Sequence, residues 1–234
     1  ENLLKNSSSK HLSIKSSYRS NNCNFFSCNF SSINLDSDID ICDSSGIIVN
    51  FIGDITNRIE LIQKLNLNKD IKNSKIISFA YKKWGSSFAK EIYGFFSIVI
   101  YKSKEKVVIA INDHLGSKPL YYFKSEEIFL ISSRINAIAS MINKNKPNDS
   151  RIRDYFIFFN GKPGETFFDN IQRLEPGSLI TFHNNKVTIN KYFGYDLSKK
   201  IVYKNDYEYE DHFREIFLNT VSALSNFLNK KYIG

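Results

Sequence analysis

The sequence predicts an α+β fold in which stacked antiparallel sheets are covered by helices. Two apolar runs, at residues 95–101 and 107–111, flank a polar turn and predict a β-hairpin. Residues 119–124 and 128–132 flank a second polar turn in the same way. Two segments with helical spacing of apolar residues precede the hairpins. Hairpins bracketed by helices favour a layered architecture.

The first part of the chain carries the weakest pattern. Residues 1–45 are rich in Ser and Asn and predict short strands and loops. A β-branched and aromatic run at residues 47–51 predicts a buried strand. We expect Gly53 and Asp54 to break this strand.

Four helices are predicted, two before the two hairpins and two after them. Apolar residues recur at helical spacing over 57–66 and 74–84, and Gly85 is placed to end the second of these helices. Two further helices are expected at about 134–142 and 151–158.

The last third of the chain predicts another hairpin and a long helix. Residues 178–182 and 186–190 form two strands, and Asn184-Asn185 suits a tight turn with positive φ. Residues 207–228 form an amphipathic helix, whose apolar stripe must pack on the preceding domain or on another partner.

Composition excludes several classes of protein. The net charge of +8 comes from lysines scattered in ones and twos, without a basic arm, so nucleic-acid binding is not expected. No apolar run could span a membrane, and a cytoplasmic protein is the default expectation. Three cysteines and four scattered histidines predict neither a disulfide framework nor a metal site.

One long motif stands out in the middle of the chain. Residues 112–122 read Asn-Asp-His-Leu-Gly-Ser-Lys-Pro-Leu-Tyr-Tyr and closely resemble the Arg-Asp-x-x-Gly-x-Lys-Pro-Leu-Tyr-Tyr hairpin of asparagine synthetases. Five further segments resemble motifs of that family in the family's order. They are residues 52–57, 94–99, 133–138, 171–178 and 191–193.

The resemblance implies a fold and a domain division. It implies a four-layer αββα sandwich of the N-terminal-nucleophile hydrolase type over residues 1–200. Residues 201–234 would be a linker and the first helix of an ATP-dependent synthetase domain. In the family, the strand after that helix leads into a Ser-Gly-Gly-x-Asp-Ser loop that binds pyrophosphate, so ATP and magnesium are expected only in that synthetase half.

The glutamine site that the resemblance implies is degenerate. Family members use an amino-terminal Cys as the nucleophile, but residue 1 is Glu, and using Cys23 would require cleavage directly before it. The oxyanion-binding Asn aligns with Ile52, although the adjacent Gly53 is kept. The Asp that binds the substrate α-amino group aligns with Asn73. We therefore assign no catalytic residue.

The surviving motifs are better explained by structure than by catalysis. Asp113 and Gly116 are expected to shape a hairpin turn, and Pro119 to fix the entry to the next strand. Lys118 is expected to form a structural ion pair rather than to contact phosphate. The remaining motif residues, Pro176 and Gly177, predict another turn.

Family members whose glutaminase domains are degenerate suggest a function. The chain resembles β-lactam synthetases and lasso-peptide cyclases, which form amide bonds through an acyl-adenylate and need no ammonia. We expect a scaffold for a synthetase half on the same chain or a separate one, acting on a peptide or with pathway proteins. The alternatives are a glutamine-hydrolysing asparagine synthetase whose amino-terminal Cys has been removed and a stand-alone interaction module.

Overall fold

A computed structural model describes most of the chain. The described residues are 12–20, 23–30, 37–42, 46–142, 146–159 and 161–228. The expectations for residues 1–11 and for the last six residues lie outside this part. The eleven strands are β1 Leu12–Ser20, β2 Cys23–Phe30, β3 Ser37–Cys42, β4 Ile47–Ile55, β5 Gly94–Lys102, β6 Val107–Asn112, β7 Tyr121–Lys124, β8 Phe129–Ser132, β9 Gln172–Arg173, β10 Ser178–His183 and β11 Lys186–Lys191.

Five α-helices accompany the strands in this part of the chain. They are α1 Arg58–Leu65, α2 Asn73–Trp84, α3 Ile135–Met141, α4 Asp149–Phe156 and α5 Asp206–Leu228. A 3₁₀ helix, Gly85–Lys90, follows α2, and Gly85 ends α2 as predicted, with a φ of 56°. The helix expected at 151–158 starts and ends two residues earlier.

All strand pairings are antiparallel. The larger sheet has the order β11-β10-β6-β5-β4-β3, and a smaller sheet has the order β8-β7-β9. The strands β1 and β2 pair with each other as a hairpin. Asn184 and Asn185 both have positive φ in the β10–β11 turn, as predicted. The two-residue strand β9 was not predicted, because a pair of residues is too short to show an alternating pattern.

Three apolar clusters separate four layers. Side chains from one face of the larger sheet pack against α1 and α2. The opposite face packs against the smaller sheet. The far side of the smaller sheet packs against α3. Alternate residues of β7 face the two sides, since Tyr122 joins the intersheet cluster whereas Tyr121 and Phe123 face α3. This order of layers is the predicted αββα sandwich.

The strand β4 does not break at Gly53 and Asp54, and that expectation was wrong. It continues to Ile55 because glycine can adopt the φ of 121° that residue 53 has, a conformation that residues with a side chain rarely adopt. Glycine also lets the backbone of β4 lie very close to β5 at this point. A Cβ atom on Gly53 would lie 1.9 Å from the carbonyl oxygen of Phe95. Conversely, a Cβ atom on Gly94 would lie 2.1 Å from the carbonyl oxygen of Asp54. The two glycines together permit this pairing.

The helix α5 leaves the first part of its apolar stripe, at Phe213 and Phe217, exposed. Phe213 and Phe217 stack on each other at 6.0 Å and both stay more than half exposed. Exposed apolar residues also lie in the segment before the helix, including Leu197 and Val202. Among the described residues, no helix is long and apolar enough to cross a membrane. The stripe therefore presents an apolar surface to solvent in the isolated chain.

The glycine pair yields a stability prediction. Replacing Gly53 with Ala should cost more than about 4 kcal/mol or prevent folding, because the new methyl group would overlap a backbone carbonyl. Gly85→Ala is the control, since Gly85 also has positive φ but nothing lies within 4 Å of its Cβ position. It should cost only about 1 kcal/mol. Urea unfolding followed by circular dichroism measures both, and equal losses would contradict the steric explanation.

Candidate functional site

The positions aligned with the glutamine site begin on the inner face of the larger sheet. Ile52 lies on β4 opposite Ser97 of β5, and Ser97 lies opposite Asn112 of β6. Ser97 and Asn112 are at most 2% exposed. Within the described residues, the Ser97 hydroxyl and the Asn112 amide oxygen have no hydrogen-bond partner. The Asn112 amide nitrogen donates to the carbonyl of Leu174 at 3.1 Å, so it is not available as an oxyanion donor.

Asn73 begins α2 and is held by an arginine that the sequence did not single out. Arg58 Nε donates to Asn73 Oδ1 at 3.1 Å. The same guanidinium donates to the carbonyls of Lys69, at 3.0 Å, and Ile71. Arg58 thus closes the loop between α1 and α2 and uses the one acceptor that the Asn73 side chain has. A substrate ammonium group at Asn73 would compete with a fixed positive charge.

The cysteines all lie in the first strands. Cys23 begins β2 opposite Ser20, and Cys28 lies farther along the same strand. Cys42 ends β3 opposite Ile47. The sequence contains no other cysteine, so no thiol can come from β4 or from any later element. In the described residues no group of His, Cys, Asp and Glu is arranged to hold a metal ion.

Asp113 is the most densely bonded side chain of the candidate site. Its carboxylate is 1% exposed and accepts from the backbone amides of Phe96 at 3.1 Å, Leu115 at 2.9 Å and Lys118 at 3.3 Å. Ser117 adds its amide at 3.2 Å and its hydroxyl at 2.6 Å. Five donors offset the cost of burying this carboxylate. The carboxylate thereby fixes the turn from β6 to β7 against the start of β5.

The two predicted turns lie against each other. The Gly177 amide donates to the Asp113 carbonyl at 2.8 Å. Gly116 has a φ of 65°, and a Cβ atom there would lie 3.0 Å from Pro176. Arg173 Nη2 donates to the Gly116 carbonyl at 3.1 Å. The structure thus brings Asp113, Gly116, Pro176 and Gly177 together, although Pro176 and Gly177 lie about sixty residues downstream.

Lys118 and Pro119 complete the motif. Lys118 is half-buried, and its backbone amide, rather than its side chain, bonds to Asp113. The ion pair expected for Lys118 is not found among the described residues. The lysines that form ion pairs there are Lys64, Lys102 and Lys146. Pro119 precedes β7, which starts at Tyr121 rather than at the predicted residue 119.

His114 sits in an aromatic cluster beside the Asp113 turn. Its ring stacks on Tyr93 at 5.6 Å and meets the edge of Phe193 at 4.4 Å. Tyr192 also contacts it, and the Tyr192 hydroxyl donates to the Asn112 carbonyl at 2.7 Å. Burial lowers the pKa of His114, and Asp113 offsets part of that shift. The imidazole is therefore neutral near pH 7 and acts as an apolar ring.

Comparison with known proteins places this geometry in a family. Residues 41–193 match a family model described as a glutamine amidotransferase domain. A Methanocaldococcus jannaschii protein named for a glutamine-hydrolysing asparagine synthetase is 28% identical over 162 residues, which are 68% of this chain and 32% of that protein. Glutamine-hydrolysing asparagine synthetase 3 of Bacillus subtilis is 24% identical over 67% of this chain and 26% of its own length.

Solved structures with a related arrangement include another amidotransferase. Glutamine phosphoribosylpyrophosphate amidotransferase of B. subtilis, complexed with ADP and GMP, superimposes with a TM-score of 0.49 at 13% identity. The superposition covers 70% of this chain and 34% of that one. The chain thus spans about a third or less of the length of the proteins that it matches.

Asp113 yields the first prediction for this site. Asp113→Asn should lower the free energy of unfolding by about 3 kcal/mol, because the side-chain NH₂ group of Asn would face the N–H and O–H groups that now donate to the carboxylate oxygens. Asp196→Asn is the control, since within the described part of the chain the Asp196 carboxylate accepts only from the exposed Ser198. It should cost about 0.5 kcal/mol or less. Denaturant titration at neutral pH compares the two, and equal effects would refute the assignment of Asp113.

His114 yields a pH dependence. The unfolded chain binds a proton on this residue near pH 6.5, whereas the folded chain binds it only at lower pH. The unfolded state therefore holds more protons as the pH falls through about 6.5, and stability must decline there. His114→Phe should flatten the decline, whereas the exposed His183→Phe should not. Thermal unfolding between about pH 5 and 8 tests this, and an unchanged slope in His114→Phe would contradict it.

Proposed function

The chain belongs to the glutamine amidotransferase domain family, and we propose that it is a member that no longer hydrolyses glutamine and serves as a scaffold. The contact between Arg58 and Asn73 carries this proposal. An active site of this type must place a negative charge near the substrate α-amino group. Here the aligned side chain is neutral and already accepts from a guanidinium.

Two further positions support the loss of activity. Covalent glutamine hydrolysis needs a thiolate that attacks the amide and donors that stabilise the oxyanion. Ile52 has no donor in its side chain, and Cys23, Cys28 and Cys42 all lie inside the given sequence, where each would need cleavage directly before it to act as an amino-terminal nucleophile. Removing one oxyanion donor alone lowers such rates by about a hundredfold or more.

The retained fold is consistent with a role in supporting another domain of a longer enzyme. The named relatives are asparagine synthetases about three to four times as long as their matched segments. We infer that this chain supports an ATP-dependent synthetase half, encoded with it or separately, which activates a carboxylate as an acyl-adenylate. ATP and magnesium would act in that half, since this sequence contains no Ser-Gly-Gly-x-Asp-Ser loop. The exposed stripe of α5 is the surface offered to it.

The substrate class follows from the lost glutaminase. An acyl-adenylate that receives no ammonia can be attacked by another amine, carried by the same substrate or by a second one. The first case describes intramolecular amide formation in a peptide or a specialised metabolite, as in lasso-peptide cyclisation. The exposed stripe of α5 also favours a second candidate, a stand-alone interaction module that binds a partner protein without any synthetase half.

Glutamine turnover tests the proposal on the chain itself. The purified protein should release no glutamate from L-glutamine in a coupled assay, and glutamine should not raise its melting temperature. Asn73→Asp should raise the melting temperature through an ion pair with Arg58 and still confer no glutamine binding.

Cysteine variants distinguish glutamate released by a thiol of this chain from glutamate released by a contaminating hydrolase. Glutamate release that disappears in Cys23→Ala would show a working nucleophile and would refute the scaffold proposal. Release that persists in this variant and in the corresponding Cys28 and Cys42 variants would point to a contaminating hydrolase.

A further inference from the structure

One helical layer of the fold collects most of the net positive charge. The segment from Arg58 to Glu91 contains α1, α2 and the 3₁₀ helix, and it carries eight basic and three acidic residues. It therefore supplies five of the eight net positive charges of the chain within 34 of its 234 residues. Lysines that are scattered in the sequence are thus gathered in one layer, which attracts anions.

An open cavity of about 840 Å³ lies in this layer, and we call it the basic cavity. It is formed by the loop between α1 and α2 and by the first two turns of α2. Its size falls within the range of about 300–1,000 Å³ that sites for small organic ligands have. A single inorganic phosphate would fill only a small part of it.

The charges that line the basic cavity are mostly positive. Lys69, Lys72 and Lys75 are exposed there, and Asp70 is the acidic residue in the lining. Within the described residues, the ammonium groups of Lys69 and Lys75 form no ion pair. Three positive charges beside one carboxylate favour an anionic ligand.

The loop that carries two of these lysines is held in place by Arg58. The guanidinium donates to the carbonyls of Lys69, at 3.0 Å, and Ile71. Arg58 is not part of the cavity lining, so these two carbonyl oxygens are directed away from a bound anion. The Leu67 amide donates to the Ile62 carbonyl at 2.9 Å and ties the start of the loop to α1. The cavity is therefore ordered before a ligand binds, which lowers the cost of binding.

The basic cavity also has an apolar part. Leu67 and Ile71 line it and pack against the core cluster beneath α1 and α2. Phe79 lines it as well and is 42% exposed, although the Lys82 ammonium lies 5.7 Å from the centre of its ring. An inorganic anion would leave these apolar groups in water. A ligand that joins a planar ring to phosphate groups contacts both parts of the lining.

The lysines outside the cavity argue against an extended polyanion. Lys64 is already paired with two carboxylates, those of Glu60 at 2.8 Å and Glu91 at 3.1 Å. The Lys83 ammonium donates to the Lys64 carbonyl at 2.8 Å. A nucleic acid that ran along the whole layer would have to compete with these contacts. A small ligand inside the cavity leaves them intact.

We propose that the basic cavity binds a nucleotide, with its phosphates on Lys69, Lys72 and Lys75 and its base against Phe79. This is a binding site to which no reaction is assigned. The ATP that is expected to react belongs to the synthetase half, whereas the basic cavity lies in the glutaminase-like domain. The proposal does not depend on the loss of glutamine hydrolysis.

Isothermal titration calorimetry of the full chain with ATP tests the site. One ATP should bind per chain, and the affinity should fall as salt is added, because the lysines are exposed to solvent. Lys75→Glu should weaken binding at least about tenfold through the loss of one charge-assisted contact. Lys90→Glu is the control, since it makes the same change of charge in the same layer but outside the cavity. It should weaken binding less than about threefold.

A second pair of measurements tests the contact with the base. Phe79→Ala should weaken ATP binding about fivefold or more, as the loss of a base–aromatic stack does, and should leave the binding of tripolyphosphate unchanged. Adenosine, which lacks the phosphates, should bind more weakly than ATP to the unchanged chain. Melting temperatures close to that of the unchanged chain show that the variants fold.

Several outcomes would overturn the proposal. ATP that shows no saturable binding would do so, and so would equal losses of affinity in Lys75→Glu and Lys90→Glu. Phe79→Ala that binds ATP like the unchanged chain would reject a nucleotide in favour of phosphate alone. A single-stranded oligonucleotide that binds more tightly as its length grows, and equally weakly to both lysine variants, would assign the layer to nucleic acid. None of these results bears on glutamine turnover, so the nucleotide site and the scaffold proposal can fail separately.

Discussion

The buried carboxylate of Asp113 is the constraint on which the rest of this structure depends. It collects donors from the start of β5 and from the turn that leaves β6. The backbone carbonyl of the same residue receives the Gly177 amide and so ties in the turn before β10. Three segments far apart in sequence therefore meet at one residue. An uncompensated buried charge would be costly, so these segments must form together.

This arrangement explains why a sequence motif can be required by the fold whether or not the reaction with which it is associated takes place. Gly53 adjoins the position of an oxyanion donor, yet its close contact with Phe95 requires glycine whether or not glutamine is cleaved. Asp113 and Gly116 likewise serve the packing of turns. By contrast, no comparable packing contact requires Asn at residue 52 or Asp at residue 73, the two positions that the resemblance aligns with glutamine-binding residues of the family. The positions that the fold requires are therefore different from the positions to which only a role in glutamine binding is assigned.

The sequence predicted those features that depend on neighbouring residues. Apolar runs over 95–101 and 107–111, on either side of a polar turn, predicted β5 and β6, and the Asn184-Asn185 turn followed from the tolerance of Asn for positive φ. Contacts between distant segments were not predictable in this way. The break expected at Gly53 was wrong because the partner strand decides what that glycine does. Likewise, nothing local to Arg58 shows that it binds the loop ahead of Asn73.

The Arg58 contact also bears on the evolutionary history of the chain. A reversion of residue 73 to aspartate would give Arg58 a carboxylate partner, so the guanidinium would be held more firmly where a substrate should bind. Under the proposed loss of glutamine hydrolysis, regaining that reaction would require changes at both Arg58 and residue 52 before either change brought a benefit. Selection cannot favour steps that help only in combination. The proposed loss of glutamine hydrolysis would therefore be hard to reverse, and lineages that carry this contact are expected to diverge further rather than return.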